Sequence, residues 1–131
     1  MSQTNLLAAL GRALIALIFI ASGASKVAAP EATQAYIASA GLPLPLISYL
    51  VAVIVELGGG IAILLGYHAR ISSLAVAVFT VAAAVFFHSN LADQNQMIHF
   101  MKNLAITGGL LQVAAFGAGG FSLDGWRRRA R

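Results

Sequence analysis

Four apolar segments follow one another along the chain, separated by connections that are polar or contain proline and glycine. The segments cover about residues 6–23, 47–65, 71–87 and 100–116. Each has roughly 17 to 19 residues, which as an α-helix would extend about 26 to 28 Å, close to the thickness of the hydrocarbon core of a bilayer. The pattern predicts an all-α integral membrane protein, a four-helix bundle in which each segment crosses the bilayer once.

The connection between the first two segments is longer than the others and contains Pro30, Pro43 and Pro45. Between these prolines, the stretch 31–40 has the composition of a short helix, and its Tyr36 suits the headgroup region of a membrane. We therefore expect a short interfacial helix between the first and second spans.

Composition supports the bilayer as the solvent, since 60% of the residues are hydrophobic and 9% are charged. A soluble domain has about a quarter charged residues. The net charge of +4 does not indicate a nucleic-acid-binding surface, because half of the basic residues lie in the last five positions. Residues 125–131 are accordingly interpreted as a basic cytoplasmic tail. The chain has no cysteine, so any redox role requires a bound cofactor or a partner.

The distribution of basic residues predicts the orientation of the bundle. With both termini on one side, that side holds six arginines and the opposite side holds two lysines, Lys26 and Lys102. The arginines are Arg12, Arg70, Arg127, Arg128, Arg129 and Arg131. Because short cytoplasmic loops carry the excess of lysine and arginine, both termini are predicted to be cytoplasmic.

The first segment has a second interpretation as a signal peptide. Residues 13–20 resemble the hydrophobic region of such a peptide, and the following ASGAS contains small residues typical of a cleavage site. Cleavage would leave three spans and would remove Arg12. Composition alone leaves both interpretations open.

Two charged residues lie near the middle of their segments, Arg12 in the first and Glu56 in the second. A charge at this depth costs about 2.5 to 3.5 kcal/mol on insertion scales, so each side chain is expected to face the bundle interior and to have a partner. Antiparallel packing of the two spans predicts that Arg12 and Glu56 pair with each other. They are the candidate catalytic residues, and a purely structural ion pair is the alternative interpretation.

Further polar residues lie towards the opposite end of the spans and predict a pocket that opens outward. The candidate ligand-binding residues are Lys26, Gly59, His88, Lys102 and Asn103. A quinone fits this set, because its flat ring can pack on the glycine face and its carbonyl oxygens can accept hydrogen bonds from lysine, histidine or asparagine. Lysines near span ends also extend to the interface without any function, and interfacial histidines are common. No spacing resembles a metal site, so none is predicted.

Six short motifs together resemble the DoxX family of small four-span bacterial inner-membrane proteins. They are GRALIALIFIASGASK (11–26), YIASAGLPLP (36–45), VELGGGIAILLGYHAR (55–70), FFH (86–88), FMKNLAITGGLL (100–111) and GAGGFSLD (117–124). The resemblance covers about residues 6–124 and implies an uncleaved first span. It matches the family elements with Arg12, Lys26, Glu56, His88, Lys102 with Asn103, and Asp124. It implies a connection to quinone-linked enzymes, because the family is named by likeness to a quinol oxidase subunit and a related protein belongs to thiosulfate:quinone oxidoreductase.

Two classes of function follow from these features. The first is a redox accessory subunit or oxidoreductase of the bacterial inner membrane that binds a quinone or catechol-like molecule, or docks a soluble redox enzyme. The second is a non-enzymatic membrane subunit or scaffold, or a small-solute transporter. A transporter of four short spans without internal repeats would require a homo-oligomer.

Overall fold

The computed structural model describes residues 2–131, and within that range every regular element is a helix. The long elements are α1 (Gln3–Ala28), α5 (Ala69–Phe87) and α6 (Gln94–Phe116), together with a composite column of α3 (Pro45–Val53), a π-helical segment (Ile54–Gly59) and α4 (Gly60–Leu65). Two short helices complete the chain, α2 (Pro30–Ser39) and α7 (Leu123–Arg129). The predicted all-α four-helix bundle and the short helix before the second span are confirmed.

Local sequence determines where the helices begin and end. Ser2 caps α1, because its Oγ accepts a hydrogen bond from the amide of Asn5 at 3.2 Å. Pro30 and Pro45 occupy the first turns of α2 and α3, where a proline costs no helical hydrogen bond. Asp93 caps α6 through its carboxylate. The long helices begin about two to six residues before the predicted apolar segments, and α1 also continues to Ala28.

Three columns are long and apolar enough to cross a membrane, namely α1, Pro45–Leu65 and α5. The fourth, α6, has 23 residues and would extend about 34 Å, but Lys102, Asn103 and Gln112 lower its mean hydropathy. It packs against α5 in the most extensive helix–helix contact of the described residues. Whether α6 crosses the bilayer as a fourth span therefore stays a prediction.

The core of the bundle lies where α1, the composite column, α5 and α6 meet. Its buried members are Ala16, Phe19, Ile63, Val76, Ala77 and Leu110. At Gly60 an added Cβ would lie 2.9 Å from Cγ1 of Ile20 and 3.2 Å from Cβ of Phe19, so glycine permits the close approach of α4 to α1. Large aliphatic side chains point outward around this core, for example Leu14 at 72% and Ile71 at 71% exposure. This distribution is typical of a bundle whose surroundings are lipid.

Both described chain ends lie at the same end of the bundle. The Asn5 side chain near the start of α1 accepts a hydrogen bond from the amide of Gly120 at 3.0 Å. We call this the terminal end; the opposite end carries α2, Lys26 and His88.

Candidate functional site

Arg12 is buried at the terminal end, with 3% of its surface exposed. All three of its guanidinium nitrogens donate hydrogen bonds, and every acceptor is a backbone carbonyl oxygen. Nε donates to Ala118 (3.0 Å), Nη1 to Ile63 (3.0 Å) and Leu64 (2.8 Å), and Nη2 to Phe121 (2.6 Å). The carbonyls of the last turn of a helix have no partner within it, and they attract a cation. Arg12 thus joins the end of α4 to the loop that follows α6.

The predicted pair of Arg12 with Glu56 is therefore wrong. The error lies in the register of the two helices. An added Cβ at Gly23 would lie 2.6 Å from Cγ of Leu57, and Ser22 donates a hydrogen bond to Glu56 at 3.3 Å, so Glu56 lies level with Ser22. Arg12 precedes Ser22 by ten residues on α1, which is about 15 Å along the axis. Even a long guanidinium side chain cannot bridge that separation.

Gly66 and Asp124 complete the structure around Arg12. The Asp124 carboxylate accepts hydrogen bonds from the amides of His68 and Ala69, each at 2.8 Å, and thereby caps the start of α5. Its own amide donates to the carbonyl of Gly66 at 2.9 Å. Gly66 has φ of +69°, and a Cβ there would overlap Ser122 and approach Nη1 of Arg12 to 2.9 Å. We call Arg12, Gly66, Ser122 and Asp124 the terminal clasp.

Glu56 lies in the π-helical segment and pairs with Lys26 of α1. Lys26 Nζ is 2.9 Å from Oε2 and 3.2 Å from Oε1, and it also donates to Oγ of Ser22 at 2.8 Å. The side chain of Glu56 is 8% exposed and that of Lys26 is 25% exposed. Both Lys26 and Ser22 direct their hydrogen bonds to Oε1, whereas Oε2 is close to the ammonium but receives no hydrogen bond of acceptable geometry. Lys26 therefore neutralises the buried carboxylate, whose oxygens each have lone pairs for more than one hydrogen bond.

Glu56 and Lys26 line a cavity of about 800 Å³. The walls come from α1, α2, the composite column, α5 and α6, and they are mainly apolar. Polar groups interrupt the apolar lining at a few points, which include Ser22, Lys26, Glu56, Thr80, His88 and Asn103. A large, mostly apolar cavity with a few convergent polar groups is typical of a binding site for a small organic molecule.

Hydrogen bonds to backbone carbonyls hold the side chains of Asn103 and Thr80 in the cavity wall. Asn103 Nδ2 lies 3.4 Å from the carbonyl oxygen of Thr80, to which it donates a hydrogen bond across the α5–α6 interface. Thr80 Oγ donates to the carbonyl of Val76 at 2.7 Å. The amide of Asn103 therefore reaches the cavity from α6 in a defined orientation.

His88 follows α5 at the outer end of the cavity and stacks on His99 of α6, with ring centroids 5.0 Å apart. Partial burial, followed by the neighbouring His99 and Lys102, lowers the pKa of His88 below its ordinary value. At neutral pH the ring is therefore uncharged, so that one ring nitrogen is a donor and the other an acceptor.

The structure brings four of the seven predicted site residues to the cavity, namely Lys26, Glu56, His88 and Asn103. Arg12 belongs to the terminal clasp instead. Lys102 is exposed and lies outside the lining, and Gly59 packs against Val76 of α5, which leaves no room there for a ligand ring. Ligand binding by the four cavity residues stays a prediction.

Sequence reasoning missed Ser22, Thr80 and the contribution of α2. Tyr36 of α2 stacks on Phe87 with ring centroids 5.3 Å apart, and α2 thereby covers one side of the cavity. The spacing of Ser22 and Lys26, four residues apart on an otherwise apolar helix, was a usable signal, because such residues share a face. In the part of the chain that the structure describes, no three acidic or histidine side chains converge on a possible metal site.

Comparisons with known proteins give a consistent result. Residues 7–89 match the protein family described as DoxX. The inner membrane protein YqjF of Escherichia coli (strain K12) is 40% identical over 116 residues, which cover 86% of this chain and 85% of that protein. The inner membrane protein YphA of the same organism is 34% identical over 120 residues, which cover 88% and 86% of the two chains. No solved structure gives a significant match.

Proposed function

Because the chain belongs to the DoxX family of inner membrane proteins, we propose that it is a quinone-linked redox accessory protein whose cavity binds a quinone or a related small aromatic molecule. The observation that carries the proposal is the ion pair of Glu56 with Lys26, which lies in the wall of a large, mostly apolar cavity. A few polar groups in an apolar cavity wall are what orients a small organic ligand in a binding site.

The size and lining of the cavity suit such a ligand. A volume of about 800 Å³ accommodates a substituted aromatic ring with part of an apolar tail. Phe79, Phe86 and Phe87 supply apolar surface for the ring and tail. The few polar groups of the lining would then contact one edge of the ring and set its orientation.

The hydrogen-bonding groups favour a ring that carries oxygen atoms. A quinol or catechol hydroxyl would donate to the Glu56 carboxylate, and a ring oxygen would accept from Lys26 Nζ or from the side chain of Asn103. The oxidised and reduced forms of a quinone differ by two electrons and two protons, and the chain has no cysteine. A soluble redox enzyme docked to the protein would therefore supply or remove the electrons, and the chain itself would hold and orient the ring.

Arg12 has no part in this proposal. Its hydrogen bonds all go to backbone carbonyls, and it does not line the cavity. Glu56 and Lys26 are the residues to which we assign ligand binding, with His88 and Asn103 at the periphery.

The proposed orientation places the cavity mouth at the periplasmic side. Six arginines belong to the terminal half of the bundle and two lysines to the opposite half. The positive-inside rule then makes the terminal end cytoplasmic. Alkaline phosphatase fused after Arg131 should be inactive in cells, whereas phosphatase inserted in the loop before α6 should be active. The reverse pattern would contradict this orientation.

Calorimetric titration of the purified protein in detergent micelles tests the ligand. A short-chain ubiquinone and its reduced quinol should each bind saturably, with empty micelles as the blank. Glu56→Leu, which removes the acceptor, should weaken quinol binding by about tenfold or more, the factor for loss of one hydrogen bond to a charged group. Lys102→Gln changes one charge at the same end outside the cavity and should bind as the parent does.

Circular dichroism measures the helicity and thermal unfolding of each variant, and it thereby distinguishes a loss of ligand binding from a loss of folding. A folded parent that shows no saturable binding of either form would refute the proposal and favour the non-enzymatic subunit or transporter. In cells, a gene deletion should increase sensitivity to added quinones and catechols, and Glu56→Leu at normal protein levels should reproduce the effect.

A further inference from the structure

A second cavity lies at the terminal end, between the start of α5, the loop after α6, and α7. Its volume is about 330 Å³. The charged residues that line it are Arg70, Arg127, Arg128, Arg131 and Asp124, with His68 beside them. The lining thus contains four guanidinium groups and one carboxylate. We call this cavity the arginine groove.

Contacts within the protein leave the groove with an excess of positive charge. The Asp124 carboxylate accepts from the amides of His68 and Ala69, and Arg127 lies 4.0 Å from it. Arg70 donates to the carbonyl of Ala115 at 2.6 Å. Within residues 2–131, no hydrogen bond or ion pair is found for the side chains of Arg128 and Arg131. These two guanidinium groups retain all their donors for an external anion.

The groove lies where the membrane surface is expected. Three aromatic side chains at the same end of the bundle are strongly exposed: Phe116 at 76%, Trp126 at 61% and Phe121 at 58%. Phe116 ends α6, and Trp126 lies on α7 beside the arginines. Exposed aromatic residues at the ends of membrane helices occupy the headgroup region, which is also the level of the lipid phosphates.

We propose that the arginine groove binds the headgroup of an anionic phospholipid, with its phosphodiester held by Arg128 and Arg131 and its acyl chains beside Phe116. Guanidinium groups bind phosphate through paired hydrogen bonds, which supplies both charge and geometry. The volume admits a glycerophosphate headgroup. On this assignment α7 lies at the membrane interface and is held there by a bound lipid as well as by the terminal clasp.

Native mass spectrometry of the detergent-purified protein tests this assignment. Phosphatidylglycerol should bind as a discrete stoichiometric adduct and should be favoured over phosphatidylcholine, which has the same phosphate but no net charge. Arg128→Gln should weaken phosphatidylglycerol binding by about fivefold, the factor for one basic residue near an anionic surface. Arg128→Gln with Arg131→Gln should remove the preference.

Arg129→Gln is the matched control, since it removes an equal charge from the same helix. Arg129 donates to the carbonyl of Gly120 and does not line the groove. Equal weakening by Arg129→Gln and Arg128→Gln would show that only net charge matters and would overturn the site. Equal binding of the two lipids by the parent would also overturn it. Displacement of phosphatidylglycerol by millimolar inorganic phosphate would assign the groove to a free anion instead of a lipid.

Discussion

The two buried charged residues of the bundle have opposite surroundings. Arg12 at the terminal end uses all three guanidinium nitrogens to bind four carbonyl oxygens, and close packing around Gly66 fills the space beside it. The Glu56 carboxylate pairs with the Lys26 ammonium and accepts a hydrogen bond from Ser22, and it borders a cavity of about 800 Å³. In the sequence both residues lie near the middle of an apolar segment. The space beside each side chain, filled at Arg12 and open at Glu56, distinguishes a structural charge from a candidate binding group.

This difference also explains why the protein tolerates the two charges. The terminal clasp offsets the desolvation of Arg12 with charge-assisted hydrogen bonds to the end of α4 and to the loop after α6, a geometry that suits the branched guanidinium. Lys26 offsets only part of the desolvation of Glu56, since the lysine is itself partly exposed. Substitutions at the terminal end are therefore expected to lower stability. Substitutions of residues that line the large cavity are expected to weaken ligand binding.

The largest expected effect comes from breaking the terminal clasp. Arg12→Met keeps an unbranched stem but removes the guanidinium that donates to four carbonyls, and it should lower the free energy of unfolding by about 3 kcal/mol or more. Arg12→Lys should recover little of this loss, because a single ammonium cannot serve the ends of both α4 and the α6 loop. Thermal unfolding in detergent, followed by circular dichroism, measures both variants. Parent-like stability of Arg12→Lys would show that charge alone matters.

Gly59 and Gly58 are neighbours in the composite column but have different surroundings. At Gly59 an added Cβ would overlap the side chain of Val76, whereas at Gly58 nothing lies within 4 Å. Gly59→Ala should therefore cost about 1 to 3 kcal/mol through overpacking, and Gly58→Ala should be neutral. Thermal unfolding in detergent, followed by circular dichroism, measures the stability of both variants. An equal tolerance of both substitutions would mean that the contact with α5 is loose enough for a ligand to enter after all.

The four long helices and the buried positions of Arg12 and Glu56 were predictable, because the hydrocarbon core requires long apolar helices and charges within it must face inward. The partner of Arg12 was not predictable, because its acceptors are backbone carbonyls, which leave no pattern in the sequence. The partner of Glu56 depends on register, which close packing at Gly23 and Gly60 determines. The π-helical segment also has no signature, since the run IVELGG has the same apolar pattern as an α-helix.

Two capping aspartates allow a finer test of the terminal clasp. Asp124 uses both carboxylate oxygens, one for the amide of His68 and one for that of Ala69. Asp93 accepts from the amides of Asn95 and Gln96 with a single oxygen, Oδ1. Asparagine supplies one carbonyl oxygen, so Asp124→Asn should cost about 1 kcal/mol and Asp93→Asn should cost much less. Equal losses for the two variants would indicate that charge, rather than the two-oxygen geometry, holds α5 in place.

The smallest expected effect is a pH dependence that originates at the cavity end. Burial and the nearby His99 and Lys102 lower the pKa of His88, so the unfolded chain takes up a proton at a higher pH than the folded protein does. Since the unfolded state then binds more protons, the contribution of His88 to stability is complete above about pH 6.5 and declines as the pH falls through its folded-state pKa. His88→Gln should remove this part of the decline between pH 7.5 and 5, whereas His68→Gln at the terminal end should leave it. If His88→Gln retained the full decline, another group would be responsible for it, and the assignment of the acid sensitivity to His88 would be wrong.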